Sequence, residues 1–166
     1  MIWQTVTEMS ASALIGWYRQ PPCLFWQLTM ILTARAKTLL PSYDVFDEDR
    51  YFEPATENPV APFNDGKIGL TICEDIWNDE DFWPERRYTH NPPVQLAEAG
   101  AQLLFNVSAS PWHLGKNRTR HEMLRSLAHK TGRPVVFCNQ TGGNDELVAF
   151  ETALGEFEEL IREARG

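Results

Sequence analysis

A thiol followed at once by two carboxylates, Cys73-Glu74-Asp75, closes the apolar stretch that begins at Lys67 in KIGLTICEDIW. Ile68, Leu70 and Ile72 alternate with Gly69 and Thr71, which is the period of a β-strand. The strand is expected over Lys67–Cys73, and a strand delivers its last side chain to one fixed point at the edge of a sheet. A thiol at that point, beside carboxylates, has the chemistry of a positioned nucleophile. The alternative is a buried cysteine that packs as a small hydrophobe. The elements around it have to decide between the two.

Those elements are most regular in the middle of the chain. A polar, aromatic loop is expected over Asn78–His90. Asn91 has the character of an N-cap, with Pro92 at the first helical position and Gly100 closing the helix. A second strand is expected at Gln102–Val107. The loop Ser108–Lys116 leads into a helix over Asn117–Lys130, with Met123, Leu124, Leu127 and Ala128 on its inward face. Gly132 and Pro134 end it, and a third strand covers Val135–Cys138. Strand, helix, strand, helix, strand makes two βαβ units, so the fold class is α/β with a mostly parallel sheet. Open parallel sheets bind ligands at the carboxyl ends of their strands. Here those ends carry Cys73, Ser108 to Ser110 and Asn139 to Gly143, which gives the thiol polar company. Residues 1–36 hold isolated aromatics and a Pro21-Pro22 pair without clean periodicity. Over residues 153–165, Phe157, Leu160, Ile161 and Ala164 recur at helical spacing, so a short amphipathic helix is expected.

The composition narrows the possible partners. The 166 residues, 43% hydrophobic and 23% charged, suit one soluble domain with a core. Fifteen Lys and Arg against 23 Asp and Glu give a net charge of −8, which argues against nucleic acid. Cys23 to Leu32 is too short to span a membrane and is interrupted by Gln27 and Thr29. No signal-peptide pattern is evident at the N-terminus. Cys23, Cys73 and Cys138 are odd in number and widely spaced, which fits a reducing, cytoplasmic setting rather than a disulfide framework. His90, His113, His121 and His129 lack metal-ligand spacing, and no metal site is expected.

Three further segments accompany the cysteine. KTLLPSYDVFDEDRYFEP begins at Lys37, and NVSASPWHLGKNRTR and FCNQTGGNDELV lie downstream. In that order, from Lys37 to Val148, they resemble the glutamine-hydrolysing domain of glutamine-dependent NAD synthetases, in the nitrilase (carbon–nitrogen hydrolase) superfamily. The resemblance implies a nitrilase-like α-β-β-α sandwich, present in part. It implies that Cys73 attacks the carboxamide of glutamine and forms a thioester with loss of ammonia. Lys37 would be a fixed cation beside the oxyanion, and Glu48 the second acid near that lysine. Tyr43, Glu74, Ser110 and Lys116 would hold glutamine, the lysine suiting a carboxylate and Glu74 an ammonium. No cofactor is implied for this domain, since ATP and magnesium would serve an absent synthetase domain. The implied partners are glutamine and a synthetase domain or subunit, and a homo-oligomer is expected.

The sequence departs from the family pattern at its ends. The family's general-base Glu, in a context resembling Phe-Pro-Glu-Leu, has no counterpart in residues 1–36, nor do those residues read as the family's early strands and hairpin. After Val148 a divergent helical tail, residues 149–166, replaces further sheet. These departures suggest a truncated or rearranged reading frame with unpaired sheet edges, marginal in stability or associated with another chain. A stand-alone amidase acting on another small amide, and a non-catalytic fragment, are the rival readings. Thr141-Gly142-Gly143-Asn144-Asp145 also resembles a pyrophosphate-gripping loop, but Glu146 would repel phosphate, and the string matches the glutaminase domain's own glycine turn.

Overall fold

The computed structural model describes residues 22–27, 30–44, 46–111, 113–140, 142–144 and 147–150. The expected helix over 153–165 lies outside them. Eight strands and two α-helices follow one another along the described chain: β1 (Pro22–Gln27), β2 (Met30–Ala36), β3 (Ala61–Phe63), β4 (Gly66–Ile72), α1 (Pro92–Glu98), β5 (Leu103–Ser108), α2 (Lys116–Thr131), β6 (Val135–Asn139), β7 (Gly142–Asn144) and β8 (Leu147–Phe150). Short 3₁₀ turns occupy Glu48–Arg50 and Cys73–Ile76.

The central sheet has the order β3-β4-β5-β6. β4, β5 and β6 run parallel, with Leu70 opposite Phe105 and Asn106 opposite Phe137. This is the expected pair of βαβ units, with α1 and α2 as the crossovers. β3 adds an antiparallel edge strand, pairing Ala61 with Ile68. Pro62 lacks a backbone donor and is tolerated there because an edge strand needs only one ladder.

The period-two alternation sorts the sheet into two faces. Leu104, Val135 and Phe137 meet Leu96, Met123, Leu124 and Leu127 on the helix side. Ile68 and Leu70 pack with Ala61 in a second cluster, flanked by Phe63, Leu103 and Phe105. Leu96, Met123 and Leu124 are fully buried, each worth about 1.5–3 kcal/mol of transfer free energy. The inward face expected for the second helix, Met123, Leu124, Leu127 and Ala128, is the one that packs on this core. Gly69 lies on the helix side of β4. A Cβ there would meet Leu104 Cδ2 at 2.8 Å and the Cβ of Leu96 at 3.0 Å, so its absence lets α1 approach the sheet.

Several local expectations change. Before Lys37 the chain does form a hairpin: β1 and β2 pair antiparallel from Pro22–Ala36 to Gln27–Met30, with an irregularity between Phe25 and Trp26. β4 ends at Ile72, and Cys73 opens the following turn. The Asn91 side chain does not cap α1. Pro92 and Pro93 offer no N–H at the first two positions, and the amide reaches Glu80 Oε2 at 3.4 Å instead. Gly142–Asn144 is a strand rather than a loop, paired to a strand that runs to Phe150, two residues into the expected tail. α2 ends as expected at Gly132, whose φ of 62° suits glycine. In its last turn Lys130 Nζ holds Asp79, Glu80 and Asp81 at 2.8, 2.7 and 2.9 Å. This one ammonium occupies the acidic cluster and draws the Glu80 carboxyl down to about 2. No helix among the described residues is long and apolar enough to cross a membrane.

Candidate active site

Cys73 sits where β4 breaks into its 3₁₀ turn, with a φ of 44°. Only three described non-glycine residues have positive φ, and the other two are Asp44 and Asn64, types that tolerate it. The thiol is thus presented by a conformation that cysteine adopts at a cost. Beneath it, Asn106 Nδ2 donates to Thr71 Oγ1 at 3.0 Å and to the Cys73 carbonyl at 3.4 Å. Ser108 Oγ completes the set by donating to Asn106 Oδ1 at 2.6 Å. The neighbouring strand ends are stitched together in the same way. Ser110 N–H donates to Asn139 Oδ1 at 2.8 Å, and Asn139 Nδ2 returns a bond to the Ser110 carbonyl.

Lys37 follows β2 directly and is 3% exposed, far from a solvated surface lysine. Its Nζ lies 2.6 Å from Glu48 Oε2. The Glu48 backbone is anchored in turn, its N–H donating to the Pro41 carbonyl at 3.0 Å. Burial pushes the Cys73 thiol up from its usual range, Lys37 pulls it down, Glu74 and Glu48 push it further up, and the Ala109 N–H draws it back. Burial prevails, so the resting group is a protonated thiol.

Glu74 is buried beside two phenols. The Tyr43 hydroxyl is 2.9 and 2.8 Å from its two oxygens, and the Tyr88 hydroxyl 3.1 Å from Oε1. Burial raises the Glu74 carboxyl, and the two tyrosines, Lys37 and Arg87 oppose that rise. Burial likewise raises both phenols, and the Glu74 charge adds to it, so they remain donors at neutral pH. Tyr43 is further fixed by the Arg87 guanidinium, 4.1 Å from its ring centroid. Lys116 opens α2, where a helix's own dipole disfavours a cation. Its Nζ stands 5.2 Å from the centre of the Trp77 ring, and burial lowers its pKa, with Arg120 adding to the effect.

Cys73, Tyr43, Glu74, Ser110 and Lys116 line one cavity of about 140 Å3, together with Trp77 and His113. Lys37 and Glu48 are not among its lining residues, and reach the thiol through their charge. The cavity is therefore bipolar: its lining holds a carboxylate bonded to two phenols, a half-buried ammonium and a thiol. Such a site suits a small molecule that carries both charges and an electrophilic carbon. Tyr88 is the contributor that sequence reasoning missed. It stands in the loop after Cys73, which Asn78 fastens by donating to the carbonyls of Tyr88 and His90 at 2.8 and 2.7 Å. A polar residue facing a loop rich in aromatics was the available signal.

Residues 27–166 match the carbon-nitrogen hydrolase family, so the match takes in the β2 hairpin strand and the C-terminal residues. The chain is 46% identical over 112 residues to a glutamine-dependent NAD(+) synthetase of Synechocystis sp., covering 68% of this chain and 20% of that protein. It is 42% identical over 118 residues to the enzyme of that name from Thermotoga maritima, covering 71% and 19%. It thus spans about a fifth of the length of these relatives. Among solved structures, the glutamine-dependent NAD+ synthetase of Acinetobacter baumannii superposes with a TM-score of 0.66 at 30% identity, over 78% of this chain and 23% of that one. An amidase of the nitrilase superfamily from Nesterenkonia shares the fold, with a TM-score of 0.56 at 21% identity over 72% of this chain and 40% of that one. With the family match running through both βαβ units and every residue that lines the cavity, the chain belongs to the carbon-nitrogen hydrolase family.

Proposed function

We propose that the chain acts as the glutamine-hydrolysing part of a glutamine-dependent NAD synthetase, with Cys73 as its nucleophile. The observation that carries this reading is the bipolar cavity with the thiol inside it. The Cys73 sulfur attacks the side-chain carboxamide carbon of glutamine. The C–N bond then breaks, the nitrogen leaves as ammonia with the thiol's proton, and a thioester remains for water to hydrolyse to glutamate. Lys37 supplies positive charge to the oxyanion, and Glu48 holds that ammonium in place. Lys116 faces the substrate carboxylate, Glu74 with Tyr43 and Tyr88 faces its ammonium, and Ser110 orients the chain between them. The ammonia passes to a synthetase domain or subunit that amidates nicotinate adenine dinucleotide with ATP and magnesium, in a cytoplasmic oligomer. The implied general-base Glu has no match in residues 1–36, so turnover by these 166 residues alone is lower by about 10²–10⁴ than with that base present.

Ammonia release from glutamine, measured for the chain and for Cys73→Ala, tests the reading. Release that disappears in Cys73→Ala supports it. Equal background release in both, even with a synthetase subunit added, overturns it.

A further inference from the structure

Asp75 lies two residues beyond the thiol and is 1% exposed. Its carboxylate accepts four hydrogen bonds. Oδ1 takes the N–H groups of Thr38 at 3.0 Å and Leu39 at 2.9 Å. Oδ2 takes the Ile72 N–H at 2.9 Å and an Arg35 guanidinium nitrogen at 3.3 Å. Thr38 and Leu39 come directly after Lys37, and Ile72 directly before Cys73. One side chain therefore joins the turn that carries the ammonium to the turn that carries the thiol. Arg35 balances the carboxylate's charge and braces the same junction by donating to Thr38 Oγ1 at 3.1 Å.

We propose that Asp75 is a positioning residue that clamps the Lys37 turn onto the Cys73 turn and so keeps the ammonium beside the thiol. It acts through Lys37 and does not line the cavity. The proposal rests on the reading of Cys73 as nucleophile and Lys37 as its cation. Three charges act on the thiol: Lys37 lowers its pKa, and Glu74 and Glu48 raise it. A displaced Lys37 leaves the two carboxylates unopposed, so the clamp has a readout of a definite sign.

The test is the pH profile of Cys73 alkylation by iodoacetamide, followed on the Cys73-containing peptide by mass spectrometry. The full chain is compared with Asp75→Asn, Lys37→Met and the double variant. Asp75→Asn is expected to raise the midpoint by about one pH unit, a roughly tenfold loss of thiolate below it. Lys37→Met raises it likewise, Asp75→Asn adds nothing in the Lys37→Met background, and Asp75→Glu moves it back toward the unsubstituted value. A lowered midpoint in Asp75→Asn means that the carboxylate acts only as a through-space negative charge. An unchanged midpoint in folded Asp75→Asn means that it serves the fold alone. Either result overturns the proposal. Should Asp75→Asn not fold, amide exchange in the unsubstituted chain decides. Shared protection of Thr38, Leu39 and Ile72 supports the clamp, and open-loop exchange at Thr38 and Leu39 overturns it. Alkylation needs no turnover, so a chain that releases no ammonia fails the functional reading and leaves this test intact.

Discussion

The Lys37–Glu48 pair can be broken from either side, and the two breaks should not cost the same. Nζ and Oε2 are 2.6 Å apart, with side-chain exposures of 4% and 18%. At an effective dielectric of about 20, unit charges at that separation attract by about 6 kcal/mol, before desolvation returns several of those. Removing one partner leaves the other charge buried and uncompensated, at about 3–5 kcal/mol. Glu48→Gln strands the less exposed lysine and belongs at the upper end of that range. Lys37→Met strands a carboxylate that keeps some water and belongs at the lower end. The double variant removes both charges and should cost only about 1–2 kcal/mol, chiefly for a poorly paired amide. The cycle then yields a coupling of about 6 kcal/mol, close to the Coulomb attraction of the pair. Urea unfolding followed by tryptophan fluorescence measures all four proteins. Single variants that each cost under about 1 kcal/mol, and that simply add in the double, would refute the reasoning. The pair would then be a solvated contact, and Lys37 no fixed cation.

Gly69→Val should destabilise by about 1–3 kcal/mol through overpacking, because even a Cβ there meets Leu104, Leu96 and Ala101 within 3.2 Å. An unchanged urea midpoint would mean that α1 can back away freely. Glu74 gives a pH dependence of known sign. Its folded carboxyl is raised above the ordinary 4.5, so the folded state binds its proton more tightly than the unfolded state does. Stability therefore falls as pH rises from that value to the raised one, by up to about 1.4 kcal/mol per pH unit. Unfolding curves at stepped pH, with Glu74→Gln subtracted, isolate this slope, and a rise in place of the fall sinks the assignment.

The parallel core was legible because its elements carry their own periodicity. KIGLTI alternates, and Met123, Leu124 and Leu127 fall on one helical face. β3 was not legible, since Ala61-Pro62-Phe63 is too short to alternate and is a strand only through its ladder to β4. The β1–β2 hairpin escaped for another reason: Cys23 to Trp26 and Met30 to Leu32 are unbroken apolar runs, so no alternation marks the two halves that meet across the turn. Within the site, Cys73, Tyr43, Ser110 and Lys116 could be named from motif context, and they line one cavity. The Asp75 carboxylate is visible in the sequence, but three of its four donors, Arg35, Thr38 and Leu39, come from a segment some 40 residues away that only the fold brings to it. Tyr88 depends likewise on the Asn78 fastening of its loop.

The left-handed backbone at Cys73 sets stability against chemistry at a single position. Glycine would occupy a φ of 44° with less strain, so selection for folding alone would favour losing the side chain. That strain is the cost to the fold of the nucleophile proposed at Cys73. In lineages freed from any need for the thiol, this turn is where drift toward glycine or asparagine should appear first, before the cavity's buried polar contacts decay. Position 73 thus offers a molecular record of whether a given descendant of this fold has remained under selection for catalysis.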